Sequence, residues 1–127
     1  MINYTHFFII SLIFTIFSET LILVFLIRKF FNINKERIGN IKLLFTGFFA
    51  SFLTVPYVWY VFPNLTGWTR DVSIHYSEVF AFLLEALFYK IYLKTNIKNS
   101  LLISLICNSI SYSLGLFLRS KGLWFYW

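Results

Sequence analysis

Four transmembrane helices, arranged as two antiparallel hairpins, are the fold class this sequence predicts, and three observations carry the prediction. Of the 127 residues, 59% are hydrophobic and 13% charged, about half the charged share of a soluble domain. The apolar residues fall in four runs near the length of about 20 that a bilayer-spanning helix needs. Short polar connectors separate the runs and leave nothing over for a soluble domain, so 1–127 reads as one all-α transmembrane domain. Transmembrane strands would be shorter and would alternate apolar with polar residues, which these runs do not.

The first span covers roughly 6–29 and ends on Arg28 and Lys29. It carries Ser11, Thr15 and Ser18 on one face, with Glu19 beside them. Its cations follow the apolar run and no small-residue cleavage site appears, so it is expected to be a retained helix rather than a signal peptide. A polar connector containing Gly39 leads to the second span, roughly 41–62, with Gly47, Ser51 and Thr54 at helical spacing. The next connector holds the turn formers Pro63, Asn64 and Gly67. The third span, roughly 72–92, carries His75, Glu78, Glu85 and Tyr89 on one face. A tight link from Lys94 to Lys98 precedes the fourth, roughly 99–118, striped by Ser100, Ser104, Asn108, Ser111 and Gly115.

Orientation follows from the cations. Arg28, Lys29, Lys35, Arg37 and Lys42 fall on one side with Lys90, Lys94 and Lys98, eight in all, against Arg70, Arg119 and Lys121 on the other. Positive connectors stay cytoplasmic, so both termini are expected on the non-cytoplasmic side of a multi-pass protein, most simply in a prokaryotic cytoplasmic membrane. The carboxy-terminal Leu123-Trp124-Phe125-Tyr126-Trp127 then reads as an outer-interface anchor, joined by Trp59, Tyr60, Trp68 and Tyr76 in one aromatic belt.

The order of features recurs along the chain. Glu19 precedes Arg28 by nine residues, as Glu85 precedes Lys94. Ser51 lies nine residues beyond Lys42 and Asn108 ten beyond Lys98, with Thr54 and Ser111 three residues later in each case. The helix-perturbing residues Pro56 and Gly115 follow closely. Nine helical residues rise roughly 13 Å, near the middle of a hydrocarbon core about 30 Å thick. Glu19, Ser51, Glu85 and Asn108 are therefore expected in one intramembrane polar layer, with Thr54 and Ser111 adjoining it. The spacing fits a parallel internal repeat about an axis along the membrane normal, a look that two unrelated hairpins can also share.

Lipid cannot satisfy polar stripes, so they are expected to face one another, another subunit or water. The Ser, Thr and Asn residues read as interhelical contacts worth about 0.6 kcal/mol each, and Cys107 as a small packing residue. The glutamates differ, because an acidic group at the centre of a span raises insertion cost by about 2.5–3.5 kcal/mol. Glu19 and Glu85 call for a partner, a proton or water. His75 and Glu78 form an outer polar face, short of the ligand number a metal site needs.

Several function classes are set aside by what the chain lacks. It carries no Gly-flanked serine, histidine pair or phosphate-cradling loop, so neither enzyme activity nor a cofactor or metal is expected. The net charge of +6 is spread over span ends, where it suits headgroups rather than nucleic acid. One cysteine permits no intrachain disulfide. Asn3-Tyr4-Thr5 and Asn64-Leu65-Thr66 match glycosylation sequons but lie too near the membrane to carry weight. Size and helix count are shared with small multidrug resistance transporters and small fluoride channels, but the strong cation bias and missing motifs give no membership of either. The expected role is a non-enzymatic subunit that assembles with copies of itself or other membrane proteins, its polar layer setting helix contacts. The alternative is a small oligomeric proton- or cation-coupled transporter or channel using Glu19 and Glu85.

Overall fold

The computed structural model describes residues 4–65 and 67–122, apart from the side chains of Arg70 and Asp71. The carboxy-terminal aromatic anchor lies outside these residues, and both sequons reach outside them. Four long helices form the body: α1 (Tyr4–Phe25), α2 (Asn40–Pro56), α3 (Arg70–Tyr92) and α4 (Ile97–Ser120). No strand occurs among the described residues. Counting their wider-pitched ends, all four are long and apolar enough to cross a bilayer, the architecture of a multi-pass membrane protein. The spans read from the sequence fall inside Tyr4–Phe30, Asn40–Asn64, Val72–Tyr92 and Ile97–Ser120.

Each helix ends for a local reason. α1 widens into a π turn, Leu26–Phe30, and Asn32 then adopts a left-handed φ of 53°, which asparagine tolerates better than most residues. Arg28 fastens the following link: Nη1 donates to the Ile33 carbonyl at 2.9 Å, and Nη2 to the Ile38 carbonyl at 2.6 Å and Asn40 Oδ1 at 2.8 Å. α2 reaches Pro56, whose ring nitrogen has no proton to donate backwards, and continues as a π turn over Tyr57–Val61. Gly115, in contrast, stays within α4 without disturbing it. The third and fourth helices start on side-chain caps, Thr69 accepting from the Val72 amide and Asn96 from the Asn99 amide.

Around the glutamates the helices bury polar residues and turn apolar ones outward. On α1 the stripe Ile13, Phe17, Leu21 and Phe25 points outward, with Phe17 65% exposed, while Glu19 is 2% exposed. α3 repeats the contrast, exposing Val79, Leu83, Leu87 and Ile91 while burying Ser73, Ser77, Ala81 and Glu85. That inversion of a soluble protein suits a hydrocarbon solvent, in which buried polar groups must find partners within the protein. α1 packs on α2 and α3 on α4, with further seams between α2 and α3 and between α1 and α4. Gly47 lets α1 and α2 approach closely, since a Cβ there would lie 2.8 Å from Thr20 Cβ and 2.9 Å from its Cα.

The two halves of the bundle are filled differently. Around the first and third links, Leu23, Ile27, Leu43, Tyr89, Leu93 and Ile103 form a dense apolar core. Toward the second link, Val55, Val58 and Trp59 pack against Phe7, Phe8 and Leu12. Trp59 departs from the outer belt expected of it: it is buried, and its carbonyl accepts from the Tyr4 hydroxyl at 2.6 Å. The period Ser51, Val55, Trp59 turns its ring inward, whereas the belt assignment used depth alone. Tyr60, Trp68 and Tyr76 are exposed.

Candidate functional site

Glu19 on α1 and Glu85 on α3 are 2% and 1% exposed, and each holds two other helices. Glu19 Oε2 accepts from Ser51 Oγ of α2 at 2.8 Å, and Oε1 from Ser111 Oγ of α4 at 2.8 Å. Glu85 Oε1 accepts from Thr54 Oγ1 of α2 at 2.7 Å, and Oε2 from Asn108 Nδ2 of α4 at 2.7 Å. Exchanging Glu19 with Glu85, Ser51 with Asn108 and Thr54 with Ser111 returns the same four bonds. The structure thus brings together all six residues singled out for the intramembrane layer.

Asn108 Nδ2 also meets the Ser104 carbonyl at 2.9 Å, so its amide is oriented from its own helix as well as by Glu85. Ser104 Oγ donates across to the Phe82 carbonyl at 2.7 Å, closing the α3–α4 seam beside it. Cys107, fully buried, places its thiol 3.9 Å from the Glu19 carbonyl, a packing position.

Above this layer, on the side of the second link, lies a cavity of ≈ 60 Å³. A water needs roughly 10–15 Å³ by this measure, so the space holds a few small molecules. Its floor is Glu19, Glu85, Asn108 and Ser111; its walls include Phe14, Val58, Trp59 and Tyr112. Glu78, two turns from Glu85 on α3, is half-buried and also lines it. No Lys, Arg or His is among the described lining residues. The three carboxyl groups lie close enough to feel one another's charge.

The outer polar pair separates in the structure. Glu78 turns into the cavity, whereas His75, one turn nearer the start of α3, is exposed and does not line it. Among the described residues, no three His, Cys, Asp or Glu side chains converge to hold a metal ion. None of the wall residues Phe14, Val58, Trp59 and Tyr112 is marked for the site by the sequence pattern; for Trp59 and Tyr112, the spacing from Val55 and Asn108 on the inward faces is the signal that could find them. On the opposite side of the layer the bundle is packed with the apolar core. The geometry is a pocket with an acidic floor, sealed toward the first and third links. Comparison of the chain with protein-family models, curated proteins and solved structures finds no match in any of the three.

Proposed function

We propose that this chain is a small non-enzymatic membrane protein that binds protons or small cations in its acidic cavity, reached from one side of the bilayer. The observation that carries this reading is the convergence of Glu19, Glu78 and Glu85 on one cavity that no cationic side chain among the described residues lines. Carboxylates at such depth require a counter-charge, a proton or water. The hydroxyl and amide donors around Glu19 and Glu85 hold them in place without neutralising them. With the apolar core closing the other half, the site is a one-sided binding pocket, and transport through it requires that core to open.

Three structural readings accompany it. The contacts of Tyr4 with Trp59, Glu19 with Ser51 and Arg28 with Asn40 support a first antiparallel hairpin. Those of Ser104 with Phe82 and Asn108 with Glu85 support a second. The exchange of bonds between the halves supports an internal repeat. The Lys and Arg bias puts the first and third links in the cytoplasm, so the cavity faces the non-cytoplasmic side with both termini.

A second reading keeps the chain as a subunit of a larger membrane assembly. It is favoured by the exposed ladder on α2, where Phe45 stacks on Phe49 and Phe48 on Phe52. The chain reconstituted in lipid nanodiscs decides between the two. Proton or monovalent-cation binding that Glu19→Gln and Glu85→Gln abolish, with folding retained, supports the binding reading. Wild-type protein that binds neither, together with tolerated Gln variants and Leu variants that fall apart, would leave only the assembly reading.

A further inference from the structure

Both carboxyl groups of the layer have one fixed and one reversible partner. Asn108 Nδ2 is a donor only, and Ser51 Oγ has Glu19 as its one recipient among the described residues. Thr54 and Ser111 differ, because each hydroxyl has a second outlet for its single proton. Thr54 Oγ1 lies 2.7 Å from Glu85 but also 3.2 Å from the Ala50 carbonyl and 3.4 Å from that of Ser51. Ser111 Oγ lies 2.8 Å from Glu19 and 3.2 Å from the Asn108 carbonyl. A hydroxyl that turns its proton to the backbone presents a lone pair to the carboxyl group.

A second observation lies just beneath. Tyr89, one turn from Glu85, is fully buried, and its hydroxyl meets no nitrogen or oxygen partner among the described residues, its neighbour being the Cys107 thiol. It sits within electrostatic reach of Glu85 and Glu19. It is one more titratable group packed against the layer, held by a weak sulfur partner rather than by either carboxyl group.

We propose that the ligand of this site is the proton itself, taken up on the Glu85 oxygen facing Thr54 and the Glu19 oxygen facing Ser111, with these hydroxyls reversing from donor to acceptor. The inference rests on the binding reading above and narrows its ligand. Uptake forms one O–H bond at Oε1 and takes that carboxyl group from −1 to neutral. The new O–H donates to Thr54 Oγ1 or Ser111 Oγ, whose own proton swings to a backbone carbonyl of its helix. Asn108 and Ser51 go on donating to the other oxygen. No heavy atom has to move. A metal ion, in contrast, would displace four donors already directed at the carboxylates. The other titratable groups facing the pair are Glu78 and Tyr89 from α3 and Cys107 and Tyr112 from α4. The described faces of α1 and α2 bring no further one to the cavity.

The test uses the full chain in lipid nanodiscs with isotope-labelled glutamate, following the carbonyl band of protonated glutamic acid by infrared spectroscopy as pH is varied. Ser51→Ala and Asn108→Leu remove a partner that favours the charged form, and should displace a titration midpoint by about one pH unit or more. Thr54→Val and Ser111→Ala remove a partner that serves both forms, and should displace it by less than half as much, with Thr54→Ser restoring the wild-type curve. If these variants fail to fold, Thr54→Cys and Ser111→Cys, near-isosteric and weakly hydrogen-bonding, make the same comparison. Equal displacement by the two classes would overturn the inference. So would glutamates that never titrate while sodium or potassium ions change the fluorescence of Trp59, a result that leaves the binding reading standing. Absence of both responses overturns the inference and the binding reading together.

Discussion

Ser111 donates its hydroxyl to Glu19 at 2.8 Å although 92 residues separate them in the chain. The bond ties the last helix to the first and lies beside the one from Asn108 to Glu85. Interhelical hydrogen bonds in membranes contribute about 0.6 kcal/mol on average and up to about 1.7. We expect Ser111→Ala to fall within that range. A double-mutant cycle with Glu19→Gln, measured by reversible unfolding in detergent, should give a coupling above about 0.5 kcal/mol. Strictly additive losses would mean the bond carries no energy.

The glycines of α2 and α4 should respond oppositely to one methyl group. At Gly47 a Cβ would press on Thr20, whose own Cα is 2.9 Å away, so α1 and α2 must part. Gly47→Ala should therefore cost about 1–3 kcal/mol, the usual penalty of overpacking. At Gly115 nothing lies within 4 Å of the added atom, and Gly115→Ala should be neutral or stabilising by up to about 1 kcal/mol through helix propensity. Thermal unfolding of both in the same detergent checks the contrast, which fails if the two shifts share a sign.

Arg28 matters through its shape as well as its charge. Its two terminal nitrogens serve three acceptors on the first link, a fork that the single ammonium of lysine cannot reproduce. Arg28→Lys should raise amide hydrogen exchange across 32–40 by about tenfold or more, given the worth of charge-assisted bonds. Unchanged exchange would show that the link holds without it.

Much of this is legible in the amino-acid sequence itself. The four apolar runs marked the helices because a bilayer demands a fixed length of apolar chain. Glu19, Ser51, Glu85 and Asn108 declared themselves by depth, being polar residues a matched distance from cationic span ends. What periodicity could not give was the crossed pairing, Ser111 with Glu19 and Thr54 with Glu85. Spacing along one helix says which residues share a face, not which neighbouring helix that face meets. Trp59 departs for the complementary reason: its depth suits the belt, but its face, shared with Ser51 and Val55, turns it inward. Glu78 belongs to the same polar stripe as Glu85, but nothing in its spacing shows that the bundle is hollow beside it.

Topology is open to direct labelling. Cys107, the one native cysteine, is fully buried and should stay silent toward an impermeant thiol reagent. In intact cells, a cysteine replacing Lys35 should resist the reagent, whereas one replacing Asn64 or Trp127 should react. Reaction at 35 with silence at 64 and 127 would invert the assignment and turn the cavity toward the cytoplasm.

The packing of Leu23, Ile27, Leu43, Leu93 and Ile103 has a consequence for which compartment the protein can sample. On the one-sided reading proposed above, Glu19 and Glu85 exchange with solution from the cavity side alone while those side chains stay interlocked. The molecule is then deaf to acidity on the other face, however steep the gradient between them. In a vesicle population inserted at random, half of the molecules would answer to an external acid jump at once and half not at all. A single phase of half amplitude is the signature of a one-ended site, and a channel would erase it.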